Sequence, residues 1–211
     1  MREKLKIEAA LKKYLPEGYE AVIAQKIVQH PIRFKITKPR KSKLGDFRPG
    51  INGAPHQITV NGNLNKYQFL ITTLHEFAHL YTHINYGSNI KPHGKEWKKA
   101  FNELLEPLKS DDKLPGELRA VLQKNQCQIK ASSCNDTALY RVLKKFDKKN
   151  EDETLLEDLQ NNQAFILGKR VFVRGILKRT RYLCREVGTN RQYLINRLAL
   201  VRPFEKELNE K

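Results

Sequence analysis

The chain has 211 residues, with 40 Lys and Arg against 23 Asp and Glu, a formal net charge of +17 and a sequence pI of 9.8. An apolar fraction of 39% supports a packed core and argues against wholesale disorder, and there is no apolar run of the ~18 residues that marks a membrane-spanning helix. A balance this basic implies a polyanionic partner, most often nucleic acid. The N-terminal stretch Met1–Glu8 is charged and lacks the apolar segment of a secretory signal. Cys127, Cys134 and Cys184 are irregularly spaced and make no disulfide framework. Together these place the protein in the cytoplasm, with no membrane association expected.

Residues 2–14 and 19–29 read as two helices, separated by Pro16 and Gly18 and stopped at Pro31. Ile32 to Ile36 alternates apolar and basic residues, the pattern of a half-exposed strand. A basic loop, Lys38–Lys43, follows; Lys41 and Lys43 are its candidate nucleic-acid contacts. A turn-rich segment from Gly45 to Pro55 then leads to a short strand, Ile58–Val60. That strand precedes the most informative segment and is a candidate for offering its edge to an extended peptide.

Thr73-Leu74-His75-Glu76-Phe77-Ala78-His79 contains an HExxH motif. The run from Lys66 to Tyr86 has no Pro or Gly, and Gly87 stops it, so a helix passes through the motif. Residues four apart on a helix face the same way, so His75 and His79 can bind one Zn²⁺ through their imidazoles. Glu76 then stands beside the ion as candidate general base. Burying these groups on an apolar helix without a partner is costly, and a metal removes that cost.

A catalytic zinc needs a third protein ligand. His83 lies ~12 Å along the axis from His75, too far for the same ion. His93, beyond the Gly87–Pro92 loop, can fold back to the metal and is favoured. Glu96 is the other candidate, although its place three residues after His93 also suits a capping box. Trp97, the only tryptophan, reads as a core anchor.

The motif, then a short loop, then His93-Gly94-Lys95-Glu96-Trp97 resembles the SprT-like metalloproteases, which include the Spartan-type proteases of DNA–protein crosslinks. Ser42–Gly45 and Gln57–Asn61 add a weaker upstream likeness. The resemblance covers roughly residues 1–109. It implies zinc held by His75, His79 and His93, catalysis by Glu76, a protein substrate and a link to DNA. Many relatives carry a cysteine-rich zinc ribbon after the catalytic domain. Three cysteines with no CxxC pair cannot form a four-cysteine site here. The tail from Asp136 to Tyr140 and the Arg-rich strands after it resemble the longer SprT-like proteins of bacteria.

His93 to Leu108 reads as a further helix, and residues 110–160 as a connecting region with short helices. From Ala164 the period changes to two, and three or four short antiparallel strands are expected. Between Ala164 and Pro203 stand ten Lys and Arg against the single acid Glu186. Arg170, Arg174, Lys178, Arg179, Arg181 and Arg185 are within reach of one basic face, with Tyr182 and Tyr193 to stack on bases.

The expected fold class is α+β, a zincin-like helical metalloprotease domain with a small sheet followed by a small antiparallel β module. The expected division is 1–110 for the metallopeptidase domain, 111–160 for the helical connection and 161–211 for the basic β module. The expected function is zinc-dependent peptide hydrolysis on proteins associated with or crosslinked to DNA. The alternative is a nucleic-acid-binding factor that keeps a zinc site and does little proteolysis.

Overall fold

The computed structural model describes residues 2–40, 43–124, 137–147 and 152–204. Lys41, Cys127 and Cys134 lie outside the described residues. The fold is α+β, and its contacts divide the chain into two compact units, Met1–Asp147 and Lys148–Lys211.

In chain order the first unit contains α1 (Arg2–Leu11), α2 (Glu20–Val28), β1 (Ile32–Thr37), β2 (Gly45–Arg48), β3 (His56–Asn61), α3 (Lys66–Tyr86), α4 (Lys95–Lys109), α5 (Gly116–Lys124) and α6 (Thr137–Lys144). Helix α3 is its axis. Asn65 caps it, accepting the Gln68 N–H at 2.9 Å and satisfying one of the free amides of the first turn. Gly87, at φ 74°, adopts a conformation that only glycine takes readily and ends the helix. Phe69, Leu70, Ile71, Leu74, Phe77, Ala78 and Leu80 are all buried on α3. A helix apolar on several sides must be covered on several sides. Strands β2 and β3 pack against α3, as does α4, and Tyr14 stacks on Phe69 with ring centroids 5.4 Å apart.

Trp97, Phe101, Leu104, Leu105 and Leu108 form the apolar stripe that holds α4 to this core. Each such burial is worth ~1.5–3 kcal/mol against an exposed side chain. Helices α5 and α6, expected in a connecting region, instead add Leu118, Leu122, Leu139 and Leu143 to the same core.

The three-stranded sheet has the order β1-β3-β2. Strand β3 is parallel to β1, with Phe34 opposite Ile58, and antiparallel to β2, with Phe47 opposite Ile58. This overturns one expectation. The strand before the active helix is the central one, and both of its edges are taken. The strand lying next to α3 with one edge unpaired, among the described residues, is β2.

The second unit contains β4 (Thr154–Leu155), β5 (Ala164–Leu167), β6 (Arg170–Val173), β7 (Leu177–Lys178), β8 (Arg181–Glu186), β9 (Gln192–Asn196) and β10 (Leu200–Pro203). The strand order is β4-β10-β5-β6-β8-β7, with β9 also on β8, and every pairing is antiparallel. Its own core is Leu156, Leu159, Phe165, Phe172, Tyr182, Cys184 and Val201. More strands form than the sequence pattern suggested, because β4 and β7 are only two residues long and leave no readable alternation.

Candidate metal centre

His75 and His79 stand one turn apart on α3, and their Nε2 atoms are 3.2 Å apart. The third corner is His93. Its Nε2 lies 3.0 Å from that of His79 and 3.2 Å from that of His75. The loop after α3 achieves this by a tight turn, in which the Gly94 N–H donates to Lys91 O at 2.9 Å. His93 itself sits at φ 58°, in the left-handed region that a non-glycine residue adopts at a cost in strain. Gly94 then caps α4, which carries Trp97. The indole, 1% exposed, touches all three imidazoles, with centroids 4.7 Å from His75, 5.4 Å from His79 and 4.7 Å from His93.

Three convergent nitrogens at this spacing suit a metal ion. A tetrahedral zinc with Zn–N of ~2.0–2.1 Å keeps its ligand atoms ~3.3 Å apart. Burial, reinforced by His79 and His93, pushes the His75 imidazole down to about 2. Burial and then His93 push His79 down to about 4, and burial lowers His93 as well. All three are therefore neutral, the form that binds a metal. Neutral imidazoles cannot all donate to one another, so an ion also relieves the crowding of their lone pairs. Among the described residues these three form the one cluster of His, Cys, Asp or Glu able to hold a metal ion. Glu96 is not part of it, and its carboxylate lies 3.8 Å from Lys95 Nζ. His83 is also outside the cluster and lines a neighbouring cleft.

Glu76 is 5% exposed and points toward β2. The Phe47 backbone N–H donates to its carboxylate. Burial, with help from Asp46, pushes this carboxyl up to about 8, while Arg40, the Phe47 N–H and Lys43 pull it down. Arg40 carries no signal in the sequence beyond lying in a basic loop. In the fold its Nε donates to Asn61 Oδ1 at 2.8 Å and its Nη1 to Thr59 Oγ1 at 3.0 Å, which holds a cation near Glu76. Asn61 Nδ2 in turn donates to the carbonyls of Arg40 and Lys43, at 3.1 and 3.0 Å, and so clamps the basic loop onto β3. Lys43 is paired with Asp46 at 2.8 Å.

Residues 17–115 match the model of the SprT-like family. Over that stretch the chain is similar to the SprT-like family. The SprT-like segment spans α2 through α4 and includes His75, Glu76, His79 and His93. The family is one associated with metallopeptidase activity. Comparison with curated proteins and with solved structures finds no match. Among the described residues no helix is long and apolar enough to cross a membrane.

The second unit sorts its basic residues in a way the sequence did not show. Tyr182 is 5% exposed, so it is not available to stack on bases. Arg174 lies over its ring at 4.0 Å, donates to its hydroxyl at 2.6 Å and also donates to Leu159 O. Arg170 pairs with Glu186 and covers the ring of Tyr193 at 4.4 Å. These two arginines serve the unit's own packing. Lys178 pairs across the strands with Arg181, and Arg185 follows four residues later on the same face of β8, so these three do share one exposed side. Arg179 is exposed in the turn, at φ 57°.

Proposed function

We propose that this chain is a zinc-dependent metallopeptidase that acts on proteins associated with or crosslinked to DNA. The observation that carries the peptidase reading is the triangle of Nε2 atoms at 3.0–3.2 Å with the Glu76 carboxylate on the adjacent helical position. His75, His79 and His93 would hold the ion within a zincin-like arrangement. Bound zinc supplies Lewis-acid polarisation of a carbonyl and lowers the pKa of water to ~7. Glu76 takes a proton from the attacking water at its carboxylate and delivers it to the leaving amine. Its buried position keeps solvent from competing for that proton. The unpaired edge of β2, which carries Gly45 against Glu76 and Phe47 against His79, gives an extended substrate backbone a strand to pair with.

Two observations support the DNA part of the reading: the net charge of +17 and the shared face of Lys178, Arg181 and Arg185. The Spartan-type resemblance points the same way. The test is cleavage of a protein crosslinked to DNA, against the same protein without DNA, by zinc-loaded wild type and by Glu76→Gln. DNA-stimulated cleavage that vanishes in Glu76→Gln is expected. Equal cleavage with and without DNA removes the DNA role, and zinc-loaded protein that cuts nothing leaves a nucleic-acid-binding factor.

A further inference from the structure

A cleft of about 240 Å³ opens beside the metal centre. Phe47 and Pro49 form one side, Thr82 the helical wall, Ile90 and Pro92 the loop side, and Trp97 contributes as well. Two of the three convergent histidines, His79 and His93, also line it, so anything seated there lies next to the reacting bond. We infer that this cleft is the specificity pocket of the enzyme and takes one apolar side chain of the substrate, on the N-terminal side of the scissile bond. The inference rests on the peptidase reading above and names the substrate feature that reading leaves open.

The chemistry of the lining selects the occupant. Among the described residues no Asp or Glu lines the cleft, so a buried Lys or Arg would find no counter-charge. Phe47, Pro49, Ile90, Pro92 and Trp97 supply apolar walls that favour an apolar group, with Thr82, Ser88 and Lys91 sharing the lining. The volume suits one side chain rather than a longer segment.

The polarity of β2 selects the subsite. The strand runs from Gly45, against Glu76, past Phe47, stacked on His79 with centroids 6.4 Å apart, toward Pro49 at the cleft. A substrate laid antiparallel on the free edge of β2 runs the opposite way, from the Pro49 end to the Gly45 end. Residues preceding the scissile bond therefore lie at the cleft. Those following it lie toward Gly45.

The experiment profiles cleavage sites of a denatured, unlabelled protein mixture by the zinc-loaded full chain, as wild type, Thr82→Leu and Ile90→Glu. Wild type should favour apolar over basic residues by ~10-fold or more at one position N-terminal to the cut. Thr82→Leu, which fills the cleft, should shift the preference toward smaller side chains. Ile90→Glu, which supplies the missing counter-charge, should admit Lys and Arg at that same position. A flat profile, a preference that neither variant moves, or one on the C-terminal side overturns the assignment while leaving the peptidase reading in place. A second readout is independent of turnover. Trp97 is the only tryptophan and lines the cleft, so its emission reports occupancy in zinc-loaded Glu76→Gln titrated with peptides. Apolar peptides that shift it more in wild-type background than in Thr82→Leu support the pocket even where nothing is cut, and no shift by any peptide counts against it.

Discussion

Gly45 and Glu76 touch so closely that the smallest side chain at residue 45 has no room. A Cβ there would lie 2.4 Å from Glu76 Oε1 and 2.8 Å from its Cγ. The glycine is a steric requirement of the carboxylate's position, since real carbon atoms do not approach oxygen so closely. Gly45→Ala should push Glu76 out of place, and a misplacement of ~1 Å costs ~10²-fold in rate. The expected result is kcat/KM lower by about that factor with zinc content unchanged, measured by peptide hydrolysis and elemental analysis on the same sample. Normal activity in this variant counts against Glu76 as the base.

The third ligand is decided by comparing His93→Ala with Glu96→Ala. Loss of a group that merely supports a ligand weakens metal binding by ~10–100-fold, and loss of a ligand itself should exceed that. Competition against a chromogenic chelator should show a loss beyond 100-fold for His93→Ala and a change within a few-fold for Glu96→Ala. The reverse order transfers the ligand role to Glu96.

Metal-free protein should show opposing pH effects from the two kinds of buried group. Glu76 is raised to about 8 from an ordinary 4.5, so its folded state holds a proton that the unfolded chain has lost. That contribution is complete below pH 4.5 and disappears as pH rises through 8. His75 and His79 are lowered to about 2 and about 4, so the unfolded chain binds protons that the folded one refuses. Their contribution is complete above pH 6.5 and falls away as pH drops toward 4 and below. In excess chelator, Glu76→Gln should therefore gain stability over wild type as pH rises from 5 to 8.5, measured by urea midpoints. A constant difference across that range contradicts the buried, protonated carboxyl.

Arg174 and Arg181 are neighbours in the same basic count but have different surroundings. Arg174 is bonded to Tyr182 and Leu159 inside its unit, whereas Arg181 is exposed on β8. Losing hydrogen bonds from a charged donor costs ~1.5–3 kcal/mol each, so Arg174→Ala should lower the thermal midpoint. Arg181→Ala and Arg185→Ala should leave the midpoint in place. If this face binds DNA, each should reduce the log–log salt slope of binding by ~1. A slope unchanged in both variants removes the Lys178–Arg181–Arg185 face as the DNA contact.

The loop after the motif favoured His93 over Glu96, and the resemblance implied the same, but neither showed how the chain brings it to the other two nitrogens. Eighteen residues and a loop separate it from His75. Only the turn at Lys91–Gly94 and the left-handed backbone at His93 bring it back. Arg40 and Asn61 were invisible for a related reason. Their roles come from a clamp between a loop and a strand, and neither residue stands in a periodic pattern. The edge strand was misassigned because alternation shows that a segment is a strand and says nothing of its place in the sheet.

The amino-acid order alone determined that two imidazoles and a carboxylate share one helix. Its 3.6-residue period aligns positions four apart whatever surrounds them. It also determined the strong positive charge, which needs no folding to exist. The fold decided the third nitrogen, the strand that keeps a free edge, and which arginines face solvent rather than their own core. Those facts depend on how separate elements pack, and packing is settled by shape and burial between segments distant along the chain.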